Sequence, residues 1–165
     1  MKVAGIDPGL AFTGWAVLEG KEKNIKLIDC GCIKTKNTKP LHFRLKDIYD
    51  KLYKVFNKYK LDAVSIESQF FYGKVSSKNI YATNQARGIV LLLCAQKNIE
   101  VFEYSPKIVK ISVSGYGNAS KQQIQRMINC LLNLNSNPKY DDISDAIALA
   151  YCHFQSNRII YDKIS

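Results

Sequence analysis

The chain opens with three short apolar stretches separated by turn residues. Residues 2–6 (KVAGI) read as a buried strand running into the turn Asp7-Pro8-Gly9. Residues 13–19 and 25–34 read as two more strands, with a turn begun by Gly20 and Lys21 between them. Such a series predicts an antiparallel meander. The period then changes. Leu41, Leu45, Ile48, Leu52, Val55 and Phe56 recur at helical spacing with Lys and Asp between them, which predicts an amphipathic helix over 40–59. Pro40 sits where a first helical turn tolerates it. Residues 62–67 (DAVSIE) are an apolar strand ending on a carboxylate, 68–77 a loop with an aromatic cluster, 78–97 a helix, 100–104 a short strand and 106–112 a brief helix opened by Pro106. Ser120 can cap a helix over 121–134, whose buried face is Ile124, Met127, Ile128, Leu131 and Leu132. A turn region from Asn133 to Tyr140 leads to a last helix over about 142–157. Strands, helix, strand, helix, strand and helices in that order predict an α/β fold, with a mixed five-stranded sheet flanked by helices.

Composition adds bounds to this picture. The 165 residues suit one domain large enough to bury a core, here set at 1–158 with a C-terminal tail at 159–165. No stretch reads as a signal peptide or a membrane span. Five cysteines, Cys30, Cys32, Cys94, Cys130 and Cys152, give one CxC and no CxxC, which is neither a disulfide framework nor a zinc site. Reduced, mostly buried thiols in a cytoplasmic protein are the expectation. The net charge is +10, from 24 Lys plus Arg against 14 Asp plus Glu. A basic balance favours polyanions, although a merely soluble basic surface has the same count.

The acids are therefore worth locating. Asp7 ends the first strand and Glu67 the fourth, and carboxyl ends of strands in open α/β sheets are where ligands sit. If those strands are neighbours, the two carboxylates face each other across roughly 5 Å. Asp142 and Asp145 are three apart and share a helical face. Both are expected in the first turn, where the helix dipole favours negative charge. Each has a plain reading by itself: Asp7 as a turn residue, the aspartates as helix N-terminal acids. Together, four converging carboxylates repel unless a cation neutralises them, and Mg²⁺ prefers oxygen ligands. Two such ions can activate a water and stabilise a leaving oxygen at a phosphodiester.

Five segments carry a resemblance to the bacterial RuvC family of Holliday-junction resolvases. They are GIDPGLAFTGWAV (5–17), SIESQFF (65–71), NQARG (84–88), EYSPKIVKISVSGYGNASKQQIQRMI (103–128) and DDISDAIALAYCH (141–153). The resemblance implies a ribonuclease-H-like fold and a homodimer that nicks two opposing strands of four-way junction DNA, leaving 5′-phosphate and 3′-hydroxyl ends. It implies a pair of Mg²⁺ ions, with Mn²⁺ able to substitute, on Asp7, Glu67, Asp142 and Asp145, and coupling to branch-migration motor proteins. Asp7 would bridge the two ions. Asp141 is the alternative ligand if the helix register is off by one. The resemblance also matches Phe70 to an aromatic used against unstacked bases, and Lys110 and Lys121 to lysines supporting binding or catalysis, with Lys121 neutralising developing charge.

Other residues are read directly. Phe70, Phe71 and Tyr72, beside Gly73 and Lys74, can stack on bases or pack under their loop. Lys107, Lys110 and Lys121 are the basic residues expected nearest the phosphates, Lys121 at a helix N-terminus that itself favours anions. Gly9 and Gly14 are expected to allow close backbone approach near Asp7. Gln85, Arg87 and Gly88 face either a dimer interface or DNA. His153 lies on roughly the face of Asp145, where a packed histidine and an outer partner of the acids are both open. Three rival functions remain at this point. One is a phosphate loop of the actin-like kinases, against which 165 residues is short. The others are a junction-binding module without catalysis and a same-fold nuclease for RNA hybrids or other DNA.

Overall fold

The computed structural model describes residues 1–21, 24–68, 77–134, 138 and 140–161. Three strands come first: β1 (Lys2–Asp7), β2 (Phe12–Lys21) and β3 (Asn24–Lys34). Helix α1 (Leu41–Lys58), β4 (Ala63–Glu67), α2 (Ser77–Lys97) and β5 (Glu100–Tyr104) follow. Helices α3 (Pro106–Ser114), α4 (Lys121–Leu132) and α5 (Asp141–Tyr161) complete the chain. The sheet order is β3-β2-β1-β4-β5. β2 pairs antiparallel with both β1 and β3, whereas β1 with β4 and β4 with β5 are parallel. The expected mixed sheet is therefore present, with β1 at its centre.

Period-2 alternation sorts the strand residues onto two faces. Ala4, Ile6, Val17, Val64 and Ile66 meet α1 and α2, with Ile48, Leu52 and Phe56 of α1 filling that layer. Val3, Ala16, Leu18 and Ala63 meet the other layer, made by α3, α4 and α5. Asp7 and Glu67 each fall four residues after a member of this second set (Val3 and Ala63), so both acids project to the α5 side. Full burial of each large aliphatic here contributes roughly 1.5–3 kcal/mol. α5 itself is enclosed between sheet and helices: Ile143, Ala146, Ile147, Ala148, Leu149 and Ala150 are all buried.

Glycines decide how close α5 comes. A Cβ on Gly5 would stand 1.9 Å from the Ala146 carbonyl oxygen, and one on Gly14 would stand 1.9 Å from the Asp142 carbonyl oxygen. Both obstacles are backbone, which does not swing away. The approach expected at Gly14 is real, and Gly5 is its unanticipated partner.

α5 begins at Asp141, one residue before the expected start, and runs to Tyr161, beyond the expected end near 157. Its first-turn acids are Asp141 and Asp142, so Asp145 lies one step past the turn where the sequence placed it. α4 ends at Leu132, and Asn133 caps it in the left-handed conformation (φ 52°). The cysteines are unpaired: Cys94 and Cys152 are buried, Cys30 and Cys32 half-buried, and Cys130 exposed. Among the described residues no helix is long and apolar enough to cross a membrane.

His153 is buried (1% exposed), with its ring 4.4 Å from that of Phe102 and Nδ1 2.7 Å from the Tyr104 hydroxyl. It joins α5 to β5. Burial holds its pKa below the ordinary value, against a smaller upward pull from Glu100. Unfolded, the ring takes a proton near pH 6.5; folded, it resists until lower pH. Its contribution to stability is complete above about pH 6.5 and is lost as pH falls toward the folded value. Denaturant midpoints at pH 7.5 and 5 should therefore drop more for the natural protein than for His153→Gln, with a difference of at most about 1.4 kcal/mol per pH unit. Equal drops would show that burial does not hold the ring neutral.

Candidate active site

Asp7 is the last residue of β1, opposite Gly14 of β2. β4 lies on its other side, pairing Ile6 with Ile66, so Glu67 follows in step one strand away. Gly14 brings the backbone of α5 down at Asp142, and one helical turn later comes Asp145. Four acids from three elements thus meet over the carboxyl edge of the sheet.

Their electrostatics record the meeting. The Asp7 carboxyl is pushed up to about 7, chiefly by burial and then by the charges of Asp145, Asp142 and Glu67, while Lys121 pulls it down. Glu67 is also raised, first by burial and then by Asp145, with Lys121 and Lys110 opposing. Glu67 is exposed as a residue, yet enough protein surrounds its carboxyl for desolvation to be the largest cause. Asp7 is the more enclosed of the two, and the Glu67 charge adds to its upward shift.

Lys121 opens α4, whose start is fixed by a capping box: Ser120 Oγ accepts from the Gln123 amide at 3.2 Å, and Gln123 Oε1 accepts from the Ser120 amide at 2.8 Å. Its Nζ donates to Asp145 Oδ2 at 3.0 Å, which raises the lysine pKa. Lys110 lies close enough to lower Glu67, whereas the Lys107 stem is the nearest neighbour of Gly117. Asp141 is exposed and lines a cleft with Lys121, Gln122, Gln125 and Ser144. It is Asp142, not Asp141, that raises Asp7. Phe70, with Phe71, Tyr72 and Lys74, lies outside the described residues.

The donor set is all carboxylate oxygen, which suits a hard divalent cation in kind. Among the described residues no three side chains stand as a ready-made ligand shell. The burial and mutual repulsion at Asp7 count for more here, because they are what a cation relieves and what side-chain rotation can answer.

Several residues hold this edge in place in ways the sequence did not signal, although Arg87 itself was singled out for DNA or a dimer partner. Arg87, on α2, donates from Nη1 to the Glu67 carbonyl oxygen at 2.9 Å and pairs through Nη2 with Glu103 at 2.5 Å. It thereby ties α2 to the ends of β4 and β5. The loop after Asp7 is fixed as well: Thr13 Oγ1 donates to the Gly9 carbonyl (2.7 Å), and Thr35 Oγ1 and Arg44 Nη2 donate to that of Leu10 (2.6 and 3.2 Å). Only Gly5 was readable in principle, since a glycine inside a buried strand marks close backbone approach.

Comparison with known proteins places these features in a family. Residues 3–153 match the model of the crossover junction endodeoxyribonuclease RuvC family. A crossover junction endodeoxyribonuclease RuvC of Caldicellulosiruptor saccharolyticus is 41% identical over 165 residues, covering 99% of this chain and 98% of the relative. One from Endomicrobium trichonymphae is 44% identical, covering 93% and 80%. Among solved structures, T. thermophilus RuvC in complex with a Holliday junction substrate superposes with a TM-score of 0.90 at 31% identity, over 96% of each chain. With the four acids of Asp7, Glu67, Asp142 and Asp145 standing in matched segments, the chain belongs to the RuvC family of crossover junction endodeoxyribonucleases.

Proposed function

We propose that this protein resolves four-way junction DNA by hydrolysing one phosphodiester in each of two opposing strands, using two Mg²⁺ ions per site, with Mn²⁺ able to substitute. The observation that carries this is the Asp7 carboxyl, enclosed and pushed up to about 7 with three other acids acting on it, on a protein of net charge +10. Asp7, Glu67, Asp142 and Asp145 would hold the cations. Bound there, they would supply positive charge against the phosphate oxygens and lower the pKa of water so that hydroxide is available as the nucleophile near neutral pH.

The chain's own residues do the rest. Asp7, between Glu67 and Asp142, sets where the scissile phosphate must lie. Lys121 is already beside Asp145 and would turn to the phosphate as negative charge develops on it. Lys110 and Lys107 on α3 would hold the backbone on the β4 side, and Phe70 would meet unstacked bases. Hydrolysis would leave 5′-phosphate and 3′-hydroxyl ends. Thiols without disulfides accord with a cytoplasmic setting.

Paired cuts need two sites, and α2 offers a surface for a second copy. Its buried side is Ala86, Val90, Leu93 and Cys94; its outer side shows Tyr81, Gln85, Gly88 and Leu92, with Tyr81 67% and Leu92 49% exposed. Among the described residues nothing lies within 4 Å of where a Gly88 Cβ would stand, so a second helix can come close there. Leu92→Glu should shift the protein to monomer in sedimentation and replace paired nicks by single ones. A Leu92→Glu protein that stays dimeric places the interface elsewhere.

The deciding experiment uses a labelled mobile four-way junction and a linear duplex of the same sequence, with and without Mg²⁺. Symmetric paired nicks in the junction alone, and only with the ion, are expected. Equal cutting of linear duplex or of an RNA–DNA hybrid would assign the site to a different substrate, and binding without cutting would make the protein a recognition module.

A further inference from the structure

On the far side of the acids from Lys110 lies a small aromatic and cationic cluster. Phe12 and Lys34 are cross-strand partners on β2 and β3, two residues out from the pair Gly14–Cys32, and Gly14 in turn faces Asp7. The even-numbered residues of β2, Ala16 and Leu18, point to the α5 face, so Phe12 shares it with the acids. Tyr140, immediately before α5, completes the group: its ring centroid is 6.3 Å from that of Phe12, with planes 30° apart. Lys34 Nζ stands 4.2 Å from the Tyr140 centroid and 5.3 Å from that of Phe12.

Two features distinguish this group from ordinary surface packing. Lys34 is exposed, has no carboxylate ion pair among the described residues, and stands over two ring faces on the side of the sheet that carries the acids. Phe12 is 42% exposed, and the chain around it is held: the Thr35 amide donates to the Ala11 carbonyl at 3.1 Å, and Arg44 Nε donates to Thr35 Oγ1 at 2.8 Å. A fixed, exposed aromatic beside an unpaired cation is a surface that costs little ordering to use. Its complement is a base with its phosphate, since bases stack on rings and lysine meets the backbone.

We propose that Phe12, Lys34 and Tyr140 form a second nucleic-acid contact, gripping the cleaved strand a step or two from the scissile phosphate on the β2–β3 side. The sheet fixes the path. Lys110 acts near Glu67 on β4, Asp7 is central on β1, and the cluster stands on β2 and β3, roughly 5–10 Å across the sheet from Asp7. A strand laid over the carboxyl edge meets lysine, acids and cluster in turn. This rests on the nuclease reading above.

The test measures binding of an intact four-way junction without divalent ions, with 2-aminopurine placed singly at the three nucleotides on either side of the cut. The natural protein should quench the probe at one or two positions on one side. Phe12→Ala with Tyr140→Ala should lose that quench and bind about tenfold more weakly. Lys34→Gln should keep the quench and lower the dependence of log K on log salt by about one. Should the double variant unfold, Phe12→Leu, which keeps apolar bulk but removes the ring, carries the same expectation for the quench. A ring-deficient variant that still quenches the probe, or a Lys34→Gln protein with an unaltered salt slope, overturns the contact. A natural protein that does not bind the junction overturns the functional reading first, and this contact with it.

Discussion

Asp7→Asn should give a protein that binds the four-way junction as tightly as the natural one and cuts it at least about 10³-fold more slowly. The size follows from what the position does. Divalent ions contribute several kcal/mol to a phosphodiester transition state, and each 1.36 kcal/mol is tenfold in rate. Asp7 is the acid on which the other three act, so its loss weakens the whole cation site. Binding should survive, because Lys107, Lys110 and Lys121 are unchanged. A second readout separates this from damage to the fold. A carboxyl raised to about 7 from an ordinary carboxylate value makes the folded state bind more protons than the unfolded one, so stability falls as pH rises from about 4 to about 7. At pH 8, without divalent ions, Asp7→Asn removes that repulsion and should melt at a higher temperature than the natural protein. Adding Mg²⁺ should raise the natural protein's melting temperature more than the variant's. Substantial junction cutting by Asp7→Asn would remove Asp7 from the chemistry.

The apolar run of 2–6 ending in a turn and the helical period of 40–59 were enough to predict β1 and α1, the first buried on both faces and the second on one. The acids could be assigned to strand ends and a helix start because those positions follow from element boundaries. Their convergence could not, since it depends on β1 lying beside β4 and on how far α5 descends. That descent is set by Gly5 and Gly14 against the carbonyls of Ala146 and Asp142, contacts between residues more than 120 positions apart. The position of Asp145 shows the same limit: a helix start earlier by one residue moves it out of the first turn while leaving it beside Lys121. Arg87 was open between DNA and a dimer partner, and in the fold its guanidinium is turned to the Glu67 carbonyl and Glu103. No local pattern encodes such a choice, because it is made by the strand ends that arrive beside α2. His153 is similar; the neighbour that holds it, Tyr104, is 49 residues away.

The second large effect is expected at Gly14, which touches no substrate. In Gly14→Ala the new methyl would stand 1.9 Å from the Asp142 carbonyl oxygen, 2.4 Å from its carbon and 2.9 Å from its Cβ. No rotamer relieves a clash with backbone, so either β2 or the start of α5 must retreat. Overpacking of this kind typically costs about 1–3 kcal/mol, occasionally more. A lower urea midpoint with an unchanged denaturant slope should report it. The consequence for function should be larger than the loss of stability. Asp142 and Asp145 ride on the part of α5 that is displaced, and a misplacement of about 1 Å at a catalytic constellation can cost ~10²-fold in rate. At a temperature where both proteins are folded, Gly14→Ala should therefore cut the junction about a hundredfold more slowly while binding it nearly as well. Gly5→Ala provides the comparison. It meets Ala146 one turn further along α5, so it should lower stability to a similar extent and cutting to a lesser one. If Gly14→Ala cuts at the natural rate, or if the two variants lose activity in proportion to stability alone, the acids of α5 do not depend on this contact for their placement.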